Sequence, residues 1–384
     1  MLPYTLYYTL YMNIAINTRL LLKDKLEGIG WFSYETLRRI TKQHPEHHFI
    51  FLFDRKYSDE FIFSDNITPV VIPPPSRHPF LWYIWFEMSV PPTLSKYKAD
   101  LFLSPDGYLS LASNVPSIPV IHDLNFMHYP KDLPYLYSQY YRHFFPKYAR
   151  KAKRIATVSE YSKNDIVTQF GIDEHKIDVV YNGANENFAP LSPTLQHETR
   201  LKYSGGAPYF IFVGALHPRK NIANLFRAFD AFRKTKDSNV KLLIVGQKKW
   251  WTDEIREAFE SMEYKNEVIF TGRLSEEELI MVMAAALAMV YVSYFEGFGI
   301  PIIEAMRCSV PVITSDITSM PEIAGDAALL VNPFSVESIS EAMLKISFDE
   351  GLRNDLINKG SKKSQDYNWD RTADLLWKCI SKEL

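Results

Sequence analysis

Cysteine is nearly absent: Cys308 and Cys379 are the two in 384 residues. That count excludes a disulfide framework, and without a C-x-x-C spacing it excludes a structural zinc knot, so buried thiols in a reducing compartment are expected. Excess charge is also missing. Lys and Arg number 43 against 45 Asp and Glu, a formal net charge of -2, which leaves no basic field for counterion-driven binding, and no nucleic-acid partner is expected. No apolar run approaches the ~20 residues of a membrane-spanning helix; the longest, Leu279 to Val292, covers 14. Met1 to Tyr11 carries no Lys or Arg, and the first basic residue is Arg19. The positive opening of a secretory signal is therefore missing, a cytoplasmic location is expected, and those eleven residues read as a dispensable extension ahead of the first strand. Repeats of fixed period and low-complexity tracts are absent, which excludes a solenoid.

What remains is an ordinary globular composition, 47% hydrophobic and 23% charged, long enough for two or three domains with real cores. Short β-rich apolar runs alternate with helical stretches. In the first half the runs predict strands at Asn13-Asn17, Phe49-Phe53, Pro69-Ile72, Asp100-Ser104, Ile118-His122, Arg154-Val158 and Ile177-Tyr181. Helices are expected at Ser33-Gln43 and at Ser159-Phe170, the second running from a Ser cap to Gly171. Phe188 to Ala207 holds Pro190, Pro193, Gly205 and Gly206 and reads as a linker. A second series follows, with strands at Tyr209-Val213, Val240-Val245, Glu267-Phe270, Leu287-Val292, Val310-Thr314 and Ala327-Val331. Continuous apolar strands of this kind belong to parallel sheets covered on both faces, so the fold class is α/β with two doubly wound domains.

Two stretches concentrate chemistry. In YFEGFGIPIIEAMRCSVPVIT, Tyr294 to Thr314, a Gly-rich turn and Pro301 separate Glu296 from Glu304. Pro301 suits a first helical turn, so successive N–H groups of Gly297 to Ile300 can face an anion or a sugar hydroxyl, with Glu304 one turn inside. The plainer reading makes Glu296 a helix-start acid and Glu304 a solvated helix face. In FVGALHPRKN, Phe212 to Asn221, a strand ends at Gly214 and a short loop delivers Arg219 and Lys220 ahead of a helix. Strand ends of an open parallel sheet are where ligands bind, and two cations there can neutralise a diphosphate; a solvated Arg-Lys pair is the alternative.

Taken together these stretches resemble the nucleotide-sugar domain of the retaining glycosyltransferases of family 4, which have the GT-B fold. FVGALHPRKN, VIFTGRLSEEEL, EGFGIPIIEAM and VPVITSDITSMPEIAGDAALLV occur in the family's order, from about Tyr209 to Pro333. The first half is more loosely similar to the acceptor domain: Gly28-Ile29-Gly30 before a helix, Ile121-His122-Asp123 and Thr157-Val158-Ser159 at strand ends, and Val180-Tyr181-Asn182-Gly183 like the family's P-N-G turn. Two departures stand out, Ser309 where the family has glycine and Ala215 where an Arg commonly follows the loop glycine.

The resemblance implies an acceptor-side Rossmann-like domain over residues 1–190, a nucleotide-sugar domain over 191–366, a cleft between them, and a last helix, 367–384, crossing back to the first domain. It implies transfer of a hexose with retention of configuration from a nucleotide diphosphate sugar to a glycan or lipid-linked acceptor, with GDP-mannose suggested by the PRKN loop. Arg219 and Lys220 would stabilise the leaving diphosphate. Glu304 would bond the ribose hydroxyls, Glu296 and the backbone at Phe298, Gly299 and Ile300 would hold the sugar, and Arg273 and Leu274 would hold the base. Gly30 would let an N-terminal loop approach the diphosphate, and His122 would lie near the reaction centre. No D-x-D triplet occurs, and two cations can supply a metal's charge, so neither a resident cofactor nor a divalent metal is expected.

Other patterns point elsewhere. Gly28-Ile29-Gly30 with Asp54 imitates a dinucleotide fingerprint, which keeps an NAD-dependent oxidoreductase open beside a non-catalytic sugar-nucleotide-binding protein. His44, His47 and His48 read as a solvated turn rather than a metal site. Arg142 to Arg154, RHFFPKYARKAKR, reads first as a solvated basic helix face, with contact to anionic lipid on the cytoplasmic membrane face, or to a lipid-phosphate acceptor, as the alternative. Phe80 to Met88, FLWYIWFEM, reads as core packing or a wall of the acceptor cleft.

Overall fold

The computed structural model describes residues 11–235, 238–248 and 251–383. The expectation about Met1 to Tyr11 therefore lies, save for Tyr11, outside the described residues. The chain divides into two compact units, Met1–Gly183 with Trp369–Leu384, and Ala184–Asn368. The chain thus leaves the first unit after Gly183, where the sequence suggested 190, and returns to it at Trp369. Each unit carries one all-parallel sheet.

In the first unit the strands are β1 (Asn13–Asn17), β2 (His48–Phe53), β3 (Ile67–Val71), β4 (Leu101–Ser104), β5 (Ser117–Ile121), β6 (Ile155–Thr157) and β7 (Ile177–Val179), in the order β3-β2-β1-β4-β5-β6-β7. Phe49, Ile50, Phe51 and Leu52 have no exposed surface, as a strand covered on both faces requires. Helix Gly28–Gln43 begins five residues before the expected Ser33. Instead of capping, the Ser33 hydroxyl bonds back to the Ile29 carbonyl at 2.8 Å, the local bond that serine makes inside a helix. Helix Glu160–Phe170 has the expected ends, Ser159 accepting from the Ser162 N–H and Gly171 left-handed at φ +66°.

In the second unit the strands are β8 (Tyr209–Val213), β9 (Lys241–Val245), β10 (Val268–Gly272), β11 (Ala288–Tyr291), β12 (Val312–Ser315) and β13 (Ala328–Val331), ordered β10-β9-β8-β11-β12-β13. The stretch expected as a linker contains helix Pro193–Ser204, with Ser192 as its cap and Gly205 left-handed behind it. Both sheets change winding direction beside their first strand, at β1/β4 and at β8/β11. The crevice beyond the carboxyl ends of such a strand pair is where doubly wound sheets take ligands. Among the described residues no helix is long and apolar enough to cross a membrane.

Candidate active site

The loop after β8 and the loop after β11 leave the second sheet side by side at its switch point. Gly214 and Gly246, which follow β8 and β9, touch backbone to backbone: a Cβ on Gly246 would lie 1.9 Å from the Gly214 carbonyl oxygen. Only glycine fits there. Beyond Gly214 the chain makes a 3-10 turn, Pro218–Lys220, capped by the His217 side chain, and stops at Asn221 in the left-handed region at φ +59°. The buried Asn221 amide donates to the carbonyls of Val292 at 3.0 Å and Pro333 at 2.6 Å. The Tyr294 N–H donates to the Arg219 carbonyl at 2.9 Å. Three contacts thus lock the turn to its neighbours, fixing two cations whose side chains would otherwise be mobile.

Those cations converge on one carboxylate. Arg219 reaches Glu296 Oε2 at 2.7 Å and Lys220 reaches Oε1 at 2.5 Å. The Tyr291 hydroxyl donates to the same Oε1 at 3.0 Å and accepts from Lys220. Burial alone would raise the Glu296 carboxyl, but Arg219 and Lys220 overcome it and hold the group down at about 2. Burial pushes the Tyr291 hydroxyl well above its ordinary value, so it stays protonated. Neither the solvated Arg-Lys pair nor the helix-start acid survives: Glu296 is 6% exposed and anchors a buried ion cluster.

Beyond Glu296 the loop is pinned from below by Ser319, whose hydroxyl reaches the carbonyls of Glu296 at 2.9 Å and Phe298 at 3.1 Å. Phe298 is buried, and Gly299, at φ +103°, turns the chain into helix Ile300–Arg307 with Pro301 in its first turn. Glu304 lies one turn further on, half-buried, and shares no hydrogen bond or ion pair with the cluster. Burial, then the nearby Glu276 charge, raises its carboxyl to about 7 against the opposing Arg307. It is not the solvated helix face of the plainer reading. Arg273 and Leu274 follow Gly272, the left-handed end of β10, and precede a helix capped by Ser275 and Glu278.

The first unit holds the other expected residues. His122 follows β5; its Nε2–H donates to the Pro105 carbonyl at 2.8 Å and its ring meets Phe32 edge-on at 5.0 Å. Burial lowers its pKa, which keeps the ring neutral with Nδ1 as the acceptor nitrogen. Gly30 is not in a loop. It sits inside helix Gly28–Gln43, where a Cβ would stand 3.0 Å from the Leu20 carbonyl oxygen, so its smallness serves internal packing. The dinucleotide pattern fails on the same ground, and Asp54 is taken by Arg55 at 2.6 Å and by the Ser76 N–H at 2.7 Å. The histidine turn is packed rather than solvated: His44 stacks on Trp377 at 3.6 Å and His47 is 4% exposed.

Sequence reasoning missed Tyr291, Asn221 and Ser319 as site-forming residues. Tyr291 is the last residue of an apolar strand, and Ser319 acts on backbone more than twenty positions away. Asn221 carried the one usable signal, an Asn directly after the Arg-Lys pair, a residue that tolerates the left-handed turn.

The chain matches two protein families in succession, "Glycosyltransferase Family 4" over residues 26–188 and "Glycosyl transferases group 1" over residues 196–363. It is 28% identical over 281 residues to O-antigen chain mannosyltransferase B of Escherichia coli, covering 72% of this chain and 73% of that protein. It is 30% identical over 269 residues to the O-antigen chain mannosyltransferase RfbU of Salmonella typhimurium, covering 70% and 71%. A glycosyltransferase from Rickettsia africae superposes with a TM-score of 0.71 at 16% identity over 97% of this chain and 98% of that one.

Proposed function

The chain belongs to the family 4 type of glycosyltransferases with the GT-B fold, and from that premise we propose that it moves mannose from GDP-mannose to a growing, lipid-linked O-antigen type glycan. Two O-antigen mannosyltransferases among its relatives support the sugar and the acceptor class. We propose retention of configuration and catalysis without a divalent metal. The carrying observation is the Arg219–Lys220–Glu296–Tyr291 cluster at the β8/β11 switch point, partly exposed at its cations and buried at Glu296 and Tyr291.

A nucleoside diphosphate leaves with growing negative charge on its outer phosphate, and fixed cations lower that barrier because no reorganisation accompanies the reaction. Glu296 holds both cations in place, so their charge is positioned before the donor enters. Lys220, tied by Tyr291 as well, is the main stabiliser of the leaving group, with Arg219 beside it. Glu304, whose carboxylate makes no hydrogen bond or ion pair among the described residues and sits near its ionisation point, suits the two donor hydroxyls of a ribose. Phe298, Gly299 and Ile300 present backbone to the sugar, and Arg273 and Leu274 to the base. His122, neutral with Nδ1 as its acceptor nitrogen, is suited to accept a hydrogen bond from a sugar hydroxyl.

A thermal-shift comparison of GDP-, UDP-, ADP- and dTDP-sugars tests the donor, since a ligand raises apparent stability by mass action. The largest shift is expected with GDP-mannose; a larger one with another base would replace it. Magnetic resonance of the product glycoside reads the configuration. Turnover is expected to continue in a chelator, and loss of activity restored by magnesium or manganese would refute the metal-free step.

A further inference from the structure

Next to His122 lies a buried polar assembly that the donor chemistry leaves unused. The loops after β1 and β4 leave the first sheet side by side, because those two strands are paired at its switch point. Arg19, just past β1, donates from Nε to Asp106 Oδ2 at 2.6 Å, and the two side chains are 7% and 4% exposed. The other carboxylate oxygen of Asp106 accepts from the Asn17 amide at 2.7 Å and from the Ser104 hydroxyl at 3.1 Å. The same Asn17 amide reaches the Ser104 hydroxyl at 3.0 Å. The guanidinium lies over the Tyr108 ring at 4.2 Å, with Phe86 at 5.4 Å and Trp82 at 5.9 Å. Of FLWYIWFEM, the sequence reading as core therefore holds for Trp82 and Phe86, and for Trp85. It fails for Phe80, Tyr83 and Met88, which occupy the outer side of the same helical turns and are exposed.

Stability alone is a weak reason for such a pair. Taking two charges out of water offsets most of their attraction, and an apolar side chain among these rings would serve packing as well. The geometry gives the pair another use. Pro105 stands between Ser104 and Asp106, the two residues that the assembly grips, and its carbonyl accepts the His122 Nε2–H at 2.8 Å. Gly107 closes the turn at φ +85°, where a Cβ would lie 2.9 Å from the Phe145 ring, and its N–H donates to the Ser104 carbonyl at 3.2 Å. The Pro105 carbonyl is thus held from both sides, while Phe32 meets the His122 ring edge-on at 5.0 Å. A carbonyl accepts and cannot donate, so it admits only the ring form with the proton on Nε2.

We propose that Arg19, Asp106 and Asn17 are positioning residues for His122: they fix the Pro105 carbonyl, which sets the ring's tautomer and turns Nδ1 to a sugar hydroxyl. The inference deepens the glycosyl-transfer reading and rests on it for the task of His122. It adds what holds that histidine ready. Arg19 touches no substrate in this scheme. Its charge serves to keep Asp106 ionised and in place, and Asp106 with Asn17 keeps the turn from swinging the carbonyl away.

Nitrogen magnetic resonance of the full chain, labelled at histidine and free of substrate, reads the tautomer; His122→Ala identifies the signal. Above the lowered pKa of the ring, a single Nε2–H form is expected in the unaltered protein. Arg19→Met with Asp106→Asn removes both charges at nearly constant volume, so the pair variant is expected to fold and to show both tautomers. Arg19→Lys, which keeps a cation against Asp106, should retain the single form. In steady state the pair variant should lower kcat on the order of tenfold with donor KM unchanged. On a His122→Ala background the same two changes should cost nothing further, because their effect runs through that ring. A single Nε2–H tautomer in the folded pair variant overturns the proposal, and so does an equal loss of kcat with and without His122. If the pair variant does not fold, Asn17→Ala carries the same two readouts with the ion pair intact. Wild-type kcat in His122→Ala would instead remove His122 from the transfer step. The tautomer, measured without substrate, would still decide what the assembly holds, so the two readings fail separately.

Discussion

Lys220, in the turn after β8, and Glu304, in helix Ile300–Arg307, should fail in different ways. If Lys220 acts as the diphosphate departs, as proposed, Lys220→Ala is expected to lower kcat about a hundredfold, roughly 3 kcal/mol, with little change in KM. Glu304→Gln should instead raise KM, because a contact present before and during reaction is lost evenly. Steady-state kinetics on folded variants decide; near-wild-type kcat/KM for both would remove the site. With Glu304 in its proposed place on the ribose, donor binding should also depend on pH. Its carboxyl sits near 7 when the site is empty, and ribose hydroxyls donating to it favour the ionised form. Binding therefore releases a proton, and affinity should rise with pH up to about 7 and level off above it. Calorimetric titration across that range should show the rise in the wild type and a flat profile in Glu304→Gln. Glu296 shows the opposite sign in stability. Its pKa falls from 4.5 to about 2, so its contribution, about 3 kcal/mol, is complete above its unfolded value and drains away as pH falls from 4.5 toward 2. The motif residues Arg219, Lys220 and Glu296 were legible in the chain because their chemistry is in the side chain itself. Asn221 and Ser319 were not, because what they do is decided by carbonyls 71, 112, 23 and 21 positions away.

At the level of elements, the alternation of apolar runs located both sheets, since burial on two faces forces continuous apolar strands. The errors arose where one residue type has two uses. Pro193 and Gly205 were read as linker punctuation, yet Pro193 opens helix Pro193–Ser204 and Gly205 closes it, the positions where those residues are favoured. Ser33, expected to open its helix, is an interior residue. Ser309, noted as standing where glycine is usual, shows why that position is demanding. It lies at φ +58° behind helix Ile300–Arg307. Its N–H bonds to the Met306 carbonyl at 3.1 Å, and that of Val310 to the Ala305 carbonyl at 2.9 Å. This is the paired closure in which a left-handed residue ends a helix. A side chain there is strained, so Ser309→Gly should stabilise the protein by about 1 kcal/mol, the steric penalty less glycine's greater unfolded freedom. Because that helix carries Glu304, donor affinity should stay level or rise slightly. Chemical denaturation would show the gain as a higher midpoint at unchanged slope; a lower midpoint would mean that the Ser309 side chain makes a contact worth more than the strain.

Across the whole molecule the decisive feature is that the chain returns. Helix Trp369–Ser381 belongs to the first unit and buries Trp369, Ala373, Leu376, Cys379 and Ile380 there. Trp377 stacks on His44, the Thr372 hydroxyl bonds to the Tyr181 carbonyl at 2.8 Å, and Asp370 pairs with Arg39. Fully burying one large apolar side chain contributes about 1.5–3 kcal/mol, so losing Trp369, Leu376 and Ile380 alone removes roughly 5–9 kcal/mol, within the range of a typical domain's whole stability. The second unit has a different dependence. Its two ends lie together, the Ala184 N–H donating to the Tyr367 carbonyl at 3.3 Å, as in a module inserted into another fold. Ending the chain after Asn368 should therefore unfold the first unit and spare the second. Residues 184–368 expressed alone should melt cooperatively and still be stabilised by the donor nucleotide, since Arg219, Lys220, Glu296 and Glu304 all lie within them. Hydrogen exchange on the 1–368 chain is the direct measurement. Fast exchange across β1 to β7 with slow exchange across β8 to β13 is expected. Equal protection in both sheets would show that the last helix caps the first unit without being needed for its core.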